Sequence, residues 1–211
     1  MVTGMAPSNR GNQGMKTQEA SSGLAASTVN GINVVALQGC VDAITHTPSE
    51  GNTSWKVASV WRGGTRSDHH VHGCSIGSKF IPREFTLRSD EPEELCGTNR
   101  FANPQELLLA GLNACMMVGY AAVAATMGIT LTKLEVETKG DIDLRGFLGI
   151  DATVPAGYRG LTQTVRIAGD ATDVQFERLH DVIRATSPNF YNITRAIPTD
   201  SRMIVEKSAG K

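Results

Sequence analysis

Apolar and polar positions divide the chain into stretches of distinct texture. Residues 1–29 carry Ser, Gly, Thr, Asn and Ala without a hydrophobic period, which predicts a disordered tail. Val34, Leu37, Val41 and Ile44 then recur at helical spacing, so an N-terminal helix is predicted within 30–48, with Asn30 as cap and Thr47-Pro48 as stop. Between Trp55 and Arg88 the texture is that of strands and tight turns. Strands are predicted over 55–61, 71–74 and 80–87, with a turn at Gly63-Gly64.

Asn103-Pro104 pairs a capping residue with proline at the first helical position. The run 107–127 is almost entirely Leu, Ala, Gly, Met, Val and Cys, apolar on every side, which predicts a central helix buried on every side and ended by Gly128. Leu134, Val136 and Thr138 alternate with charged residues, and Leu161, Gln163, Val165 and Ile167 alternate again, predicting an antiparallel strand pair. Between them, 146–159 reads as a long loop. Thr172 and Gln175 form a capping-box pattern ahead of Phe176, Leu179, Val182, Ile183 and Thr186, an amphipathic helix that stops at Ser187-Pro188. A last strand is expected over 197–205. The sum is an α+β fold, one domain over 30–211.

Composition narrows the function. Of 211 residues, 40% are hydrophobic and 19% charged, and 20 Lys and Arg against 21 Asp and Glu leave a formal net charge of −1. That balance argues against nucleic acid as a partner. The N-terminus has no apolar signal region, and no run approaches the roughly 18 apolar residues of a membrane helix, so neither secretion nor a membrane is expected. Four cysteines without close pairing read as reduced thiols in a cytoplasmic protein.

Cys115, in the middle of the apolar run, is either a small core residue or a reactive thiolate. Mid-helix it draws little from the helix dipole, so activation calls for a cation, for which arginine is the natural choice. His70, His72 and Cys74 share one face of a strand. Alternate strand residues stand nearly ~7 Å apart and no acid completes the set, so no metal is expected. Asp141 and Asp143 read as exposed strand positions, and His180 as surface or boundary.

Four segments together resemble the OsmC/Ohr family of thiol-dependent hydroperoxide reductases. Asn103-Pro104-Gln105-Glu106-Leu107 through Asn113-Ala114-Cys115 is similar to its N-P-E-[EQ]-L…A-A-C helix. Trp61-Arg62-Gly63-Gly64-Thr65-Arg66 resembles its G-G-R turn, and the loop from Gly140 to Gly149 one found in many OsmC-like members. Ser187-Pro188 with Asn192-Ile193-Thr194-Arg195 resembles C-P-x-S-N-x-T-R. These lie in family order over 55–205. The resemblance implies an intertwined homodimer of antiparallel sheets around the central helix, with active sites at the subunit interface. It implies organic hydroperoxide as substrate and an external thiol or dithiol as reductant, without a cofactor. It also assigns Cys115 as the peroxidatic cysteine and Arg66, or Arg62, as the arginine holding its thiolate.

Two positions depart from the family pattern. Gln105 stands where the family has the glutamate that orients the arginine, and it brings no charge to a bidentate pair. Glu106 is an alternative, but nine residues before Cys115 is about 900° of helix rotation, on the opposite face. Gln105 points about 80° from the Cys115 direction, yet ten residues of helix rise about 15 Å, so it meets a cysteine only through another chain or a helix break. Ser187 stands in place of the resolving cysteine, and a hydroxyl forms no disulfide. That leaves direct reduction by an external thiol, resolution by Cys96 on the loop feeding the helix, or lost peroxidase chemistry. In the last case the fold would bind or sense a hydrophobic or thiol-containing small molecule. Phe147 and Leu148 are candidate covers of an apolar substrate pocket.

Overall fold

The computed structural model describes residues 28–207, so the tail predicted over 1–29 lies outside it up to residue 27. Asn30 and Gly31 both take positive φ, 53° and 75°, the conformation of a tight hairpin turn. Around it β1 (Thr28–Val29) pairs antiparallel with β2 (Ile32–Asn33). The cap expected at Asn30 is therefore Asn33, whose side chain accepts from the Ala36 amide and starts α1, Val34–His46. Asn30 instead reaches across the molecule. It donates to the Ile129 carbonyl at 2.9 Å and accepts from the Leu131 amide at 2.8 Å.

The single strand expected over 55–61 is two, β3 (Thr53–Trp55) and β4 (Ala58–Trp61). Both pair antiparallel with β5 (Ser67–Ile76), whose other edge carries β6 (Lys79–Ser89). The register sets Trp61, Phe85 and Leu87 on one face, and they remain 72%, 53% and 53% exposed, so nothing in the described chain covers that face.

After β6 the chain winds around one carboxylate. Asp90, fully buried, accepts from the hydroxyls of Thr65 (2.6 Å) and Thr98 (2.5 Å) and from the amides of Glu91, Thr98 and Arg100. The wrap is tight enough that a Cβ on Gly97 would fall 1.7 Å from the Glu91 carbonyl oxygen.

Helix α2, Pro104–Thr126, opens with a full capping box. The Asn103 side chain accepts from the Glu106 amide and the Glu106 carboxylate accepts from the Asn103 amide, each at 2.8 Å. Gly128, with φ 71°, follows its end. The expectation of burial on every side is not met within one chain. Leu112, Met116, Tyr120 and Ala124, spaced by one turn, are buried, while Val118 on another face is 68% exposed. Nor does the run-length reading hold: with a mean hydropathy of 1.8, α2 is long and apolar enough to cross a membrane. Here its buried face packs on α4 (Asp173–Thr186) and on the pair β7 (Leu131–Lys139) and β8 (Thr162–Gly169). Leu179 and Ile183 of α4 and Ile129 complete this core.

β7 and β8 are antiparallel as their alternation predicts. Asp141 and Asp143 are not on a strand; Asp143 caps the short α3, Leu144–Phe147, which opens the stretch read as a loop. Ser187 ends α4 and at once caps α5, Pro188–Thr194. Residues 197–205 form no strand.

Hydrogen bonds, first from Thr65 and next from Thr98, hold the Asp90 carboxyl well below the ordinary carboxylate range against the opposing effect of burial. A depressed folded-state value contributes stability that is complete above pH about 4 and is lost as pH falls below it. Asp90→Asn is therefore expected to lower the urea midpoint at neutral pH and to flatten its decline toward acid. Parallel acid limbs for variant and wild type would refute the linkage.

Candidate active site

Cys115 lies on the line Gly111–Cys115–Gly119 of α2, each residue one turn from the next. Of the two glycines, Gly119 sets the distance at which α4 passes. A Cβ on Gly119 would stand 3.2 Å from Ile183 Cδ1 of α4. Beside Gly111, Asn189 of α5 donates its side-chain amide to the Gly111 carbonyl at 2.8 Å. The α4–α5 junction is thereby held against the middle of α2.

That junction is Ser187. It is buried, its amide donates to the Ile183 carbonyl, and its hydroxyl oxygen accepts from the Phe190 amide while donating to Cys115 Sγ at 3.3 Å. One serine thus ends a helix, begins another and touches the sulfur. The half-buried Cys115 opens onto a groove of about 500 Å³, lined by Ala114, Val118, Ile183, Thr186 and Pro188 as well as the residues above. Its walls are small and apolar.

The other candidates sit elsewhere in the chain. Gln105 and Cys115 are on one unbroken helix, and Gln105 lines a separate cavity of about 690 Å³ with Leu108, Tyr158 and Arg159. Glu106 is committed to the capping box. Arg62 and Arg66 line a groove on the β4–β5 turn, where Arg62 Nε meets Asp68 Oδ2 at 2.8 Å and Arg66 donates to the Arg62 carbonyl. Cys96 is exposed with φ 64°, just past the turn Glu93–Leu95, and does not line the Cys115 groove. Neither do Phe147 and Leu148; Phe147 lines a third cavity, with Gln105 and Tyr158.

His69 bonds Ser59 and Ser89, and His70 bonds Thr86 and stacks on His72. Cys74 is buried. His180, half-buried, bonds the Tyr120 hydroxyl, and burial pushes that phenol up to about 12.

Helix α5 and Asn189 are the parts of the site that sequence reasoning missed. The signal was present: Ser187-Pro188 repeats the cap-plus-proline pattern of Asn103-Pro104, so it begins a helix as well as ending one.

OsmC-like proteins match this chain over residues 97–202. No curated protein matches it. Among solved structures, an OsmC-like protein from Mycoplasma pneumoniae superposes with a TM-score of 0.53 at 18% identity, covering 67% of this chain and 87% of that one, which establishes the fold. An organic hydroperoxide resistance protein OsmC from Legionella pneumophila gives 0.44 at 19% identity, covering 66% and 89%. An OsmC-like hydroperoxide resistance protein from Jannaschia sp. CCS1 gives 0.40 at 17%, covering 74% and 93%.

With 3.3 Å between Ser187 Oγ and Cys115 Sγ, a sulfur at position 187 comes within reach of a disulfide. Ser187→Cys is expected to yield a linked 115–187 peptide in mass mapping after mild oxidation. Recovery of both peptides only in unlinked form would contradict the geometry.

Proposed function

The chain belongs to the OsmC-like protein family, and on that premise we propose that it reduces organic hydroperoxides through Cys115, with an external thiol as reductant. The carrying observation is the sulfur itself, half-buried at the edge of an apolar groove with the Ser187 hydroxyl donated to it. Such walls suit an alkyl hydroperoxide, and a hydroxyl directed at sulfur offsets negative charge there.

In the first step the Cys115 thiolate attacks the distal peroxide oxygen. The S–O bond forms as O–O breaks, the alkoxide takes a proton and leaves as alcohol, and Cys115 becomes a sulfenic acid. Ser187 cannot condense with it. A small thiol attacks the sulfenic sulfur, releasing water and leaving a mixed disulfide, and a second thiol frees Cys115 as the thiol disulfide departs. This cycle fits a reducing cytoplasm.

Arg66, with Arg62 beside it, would support the thiolate. Neither lines the Cys115 groove of its own chain, and Gln105 is held away from Cys115 by the continuous helix. The reading therefore includes a homodimer in which the partner brings these groups to the cysteine. The uncovered Trp61, Phe85 and Leu87 face supports such an assembly. Sedimentation equilibrium at working concentrations is expected to give a dimer, and an active monomer would remove this part of the reading.

Peroxide consumption is the direct assay, with dithiol and monothiol supplied in turn. Wild type should prefer an organic hydroperoxide over hydrogen peroxide and turn over with a monothiol, and Cys115→Ser should fall to the uncatalysed rate. No turnover from folded wild type would sink the proposal and leave the groove as a binding site for a hydrophobic or thiol-containing small molecule.

A further inference from the structure

Helices α2 and α4 touch along a line of contacts, of which the chemistry at Cys115 uses only one end. Tyr120 meets His180, Gly119 meets Ile183, and Cys115 meets Ser187. Residue numbers fall along α2 as they rise along α4, so the helices run antiparallel. The middle contact is apolar. The outer two are the only side-chain hydrogen bonds that α4 and its C-cap make to α2 among the described residues.

Tyr120 is 1% exposed, and its hydroxyl has one partner among the described residues, Nδ1 of the half-buried His180. The two rings also stack, 19° from parallel with centroids 6.1 Å apart. Burial keeps this phenol protonated. It is the donor of the pair, since a buried hydroxyl that only accepted would leave its own proton without a partner.

Hydrophobic attraction is non-directional, so Leu112, Met116, Leu179 and Ile183 favour closeness more than any one axial position. A hydrogen bond from a buried phenol has a set length and direction. Ser187 follows His180 by seven residues, about 700° of rotation, and so points within about 20° of the same direction, about 10 Å further on. A group fixed at 180 thereby fixes where 187 sits along and around α4. Ser187 does not set that position by itself, because sulfur is a weak acceptor and α4 has already ended there.

We propose that Tyr120 and His180 are positioning residues for Cys115, their bond setting the register of α4 on α2 that brings position 187 to the sulfur. The consequence for turnover rests on Cys115 being the reacting sulfur, but the register is tested without any peroxide.

In the Ser187→Cys background, the rate of 115–187 disulfide formation under oxidised glutathione reads the register, because the bond forms only in a narrow geometry. Tyr120→Phe, which deletes one oxygen, and His180→Leu are expected to slow it about tenfold. His180→Asn places an acceptor where Nδ1 stood and should keep the parent rate to within about twofold. Val165→Ala, on β8 against the same core, controls for general loosening and should leave the rate unchanged. With Ser187 in place, Tyr120→Phe and His180→Leu should lower kcat for an organic hydroperoxide about fivefold with KM unchanged, the loss of one hydrogen bond to the sulfur. The proposal is overturned by the parent rate in Tyr120→Phe, by His180→Asn being as slow as His180→Leu, by equal slowing in Val165→Ala, or by no link forming in the parent. Absence of turnover from wild type would sink the peroxidase reading alone, and the disulfide rates would still decide the register.

Discussion

The side chain missing at Gly119 lets α4 pass close beside Cys115, and that closeness governs where the sulfur meets the rest of the molecule. Without a Cβ at 111 and 119, α2 presents bare backbone one turn either side of Cys115. Ile183 comes to van der Waals range of Gly119 and Asn189 bonds the Gly111 carbonyl. Close packing on one face follows, with Met116, Tyr120, Leu179 and Ile183 filling the core behind it. Ser187 reaches the sulfur only because the helices on both sides of it are held this close. A larger residue at 119 would crowd the Ile183 side chain, which would have to give by a few tenths of an ångström.

A second knot sits at the other end of the same helix. Asp90 collects the turn at Thr65 and the loop through Arg100, and Asn103 then starts α2. The strand half and the helical half are therefore joined through polar backbone contacts rather than through a shared apolar core. The core is confined to α2, α4, the β7–β8 pair and their links, while the four-stranded sheet keeps aromatic side chains in the open. Chemistry divides along the same line: sulfur and hydroxyl in the helical half, guanidinium groups in the other.

Much of this was legible in the amino-acid pattern where local rules act alone. The caps at Asn103 and Thr172, the alternation of β7 and β8 and the stop at Gly128 all rest on neighbours a few residues apart. The failures have equally local causes. Asn30-Gly31 is a hairpin signal that was outweighed by the helical period after it. The apolar uniformity of 107–127 says that no face demands water, which is not the same as every face being covered in one chain. Of the site, Cys115 stood out by its place in the apolar run, its role and position 187 came through resemblance, and the structure sets the two in contact. Asp90 carries no mark in the sequence, because what distinguishes it is burial with five donors.

The bridge from Asn30 to Ile129 and Leu131 spans 99 and 101 residues of chain. A hairpin as short as β1–β2 closes in about 1–10 μs but is marginal alone in water. Its partner leaves the ribosome about 100 residues later, at about 5–20 residues per second. During synthesis the first element of the described residues therefore waits on the order of 5–20 s for the backbone that anchors it. The β1–β2 hairpin thus gains its anchor only after β7 has been made.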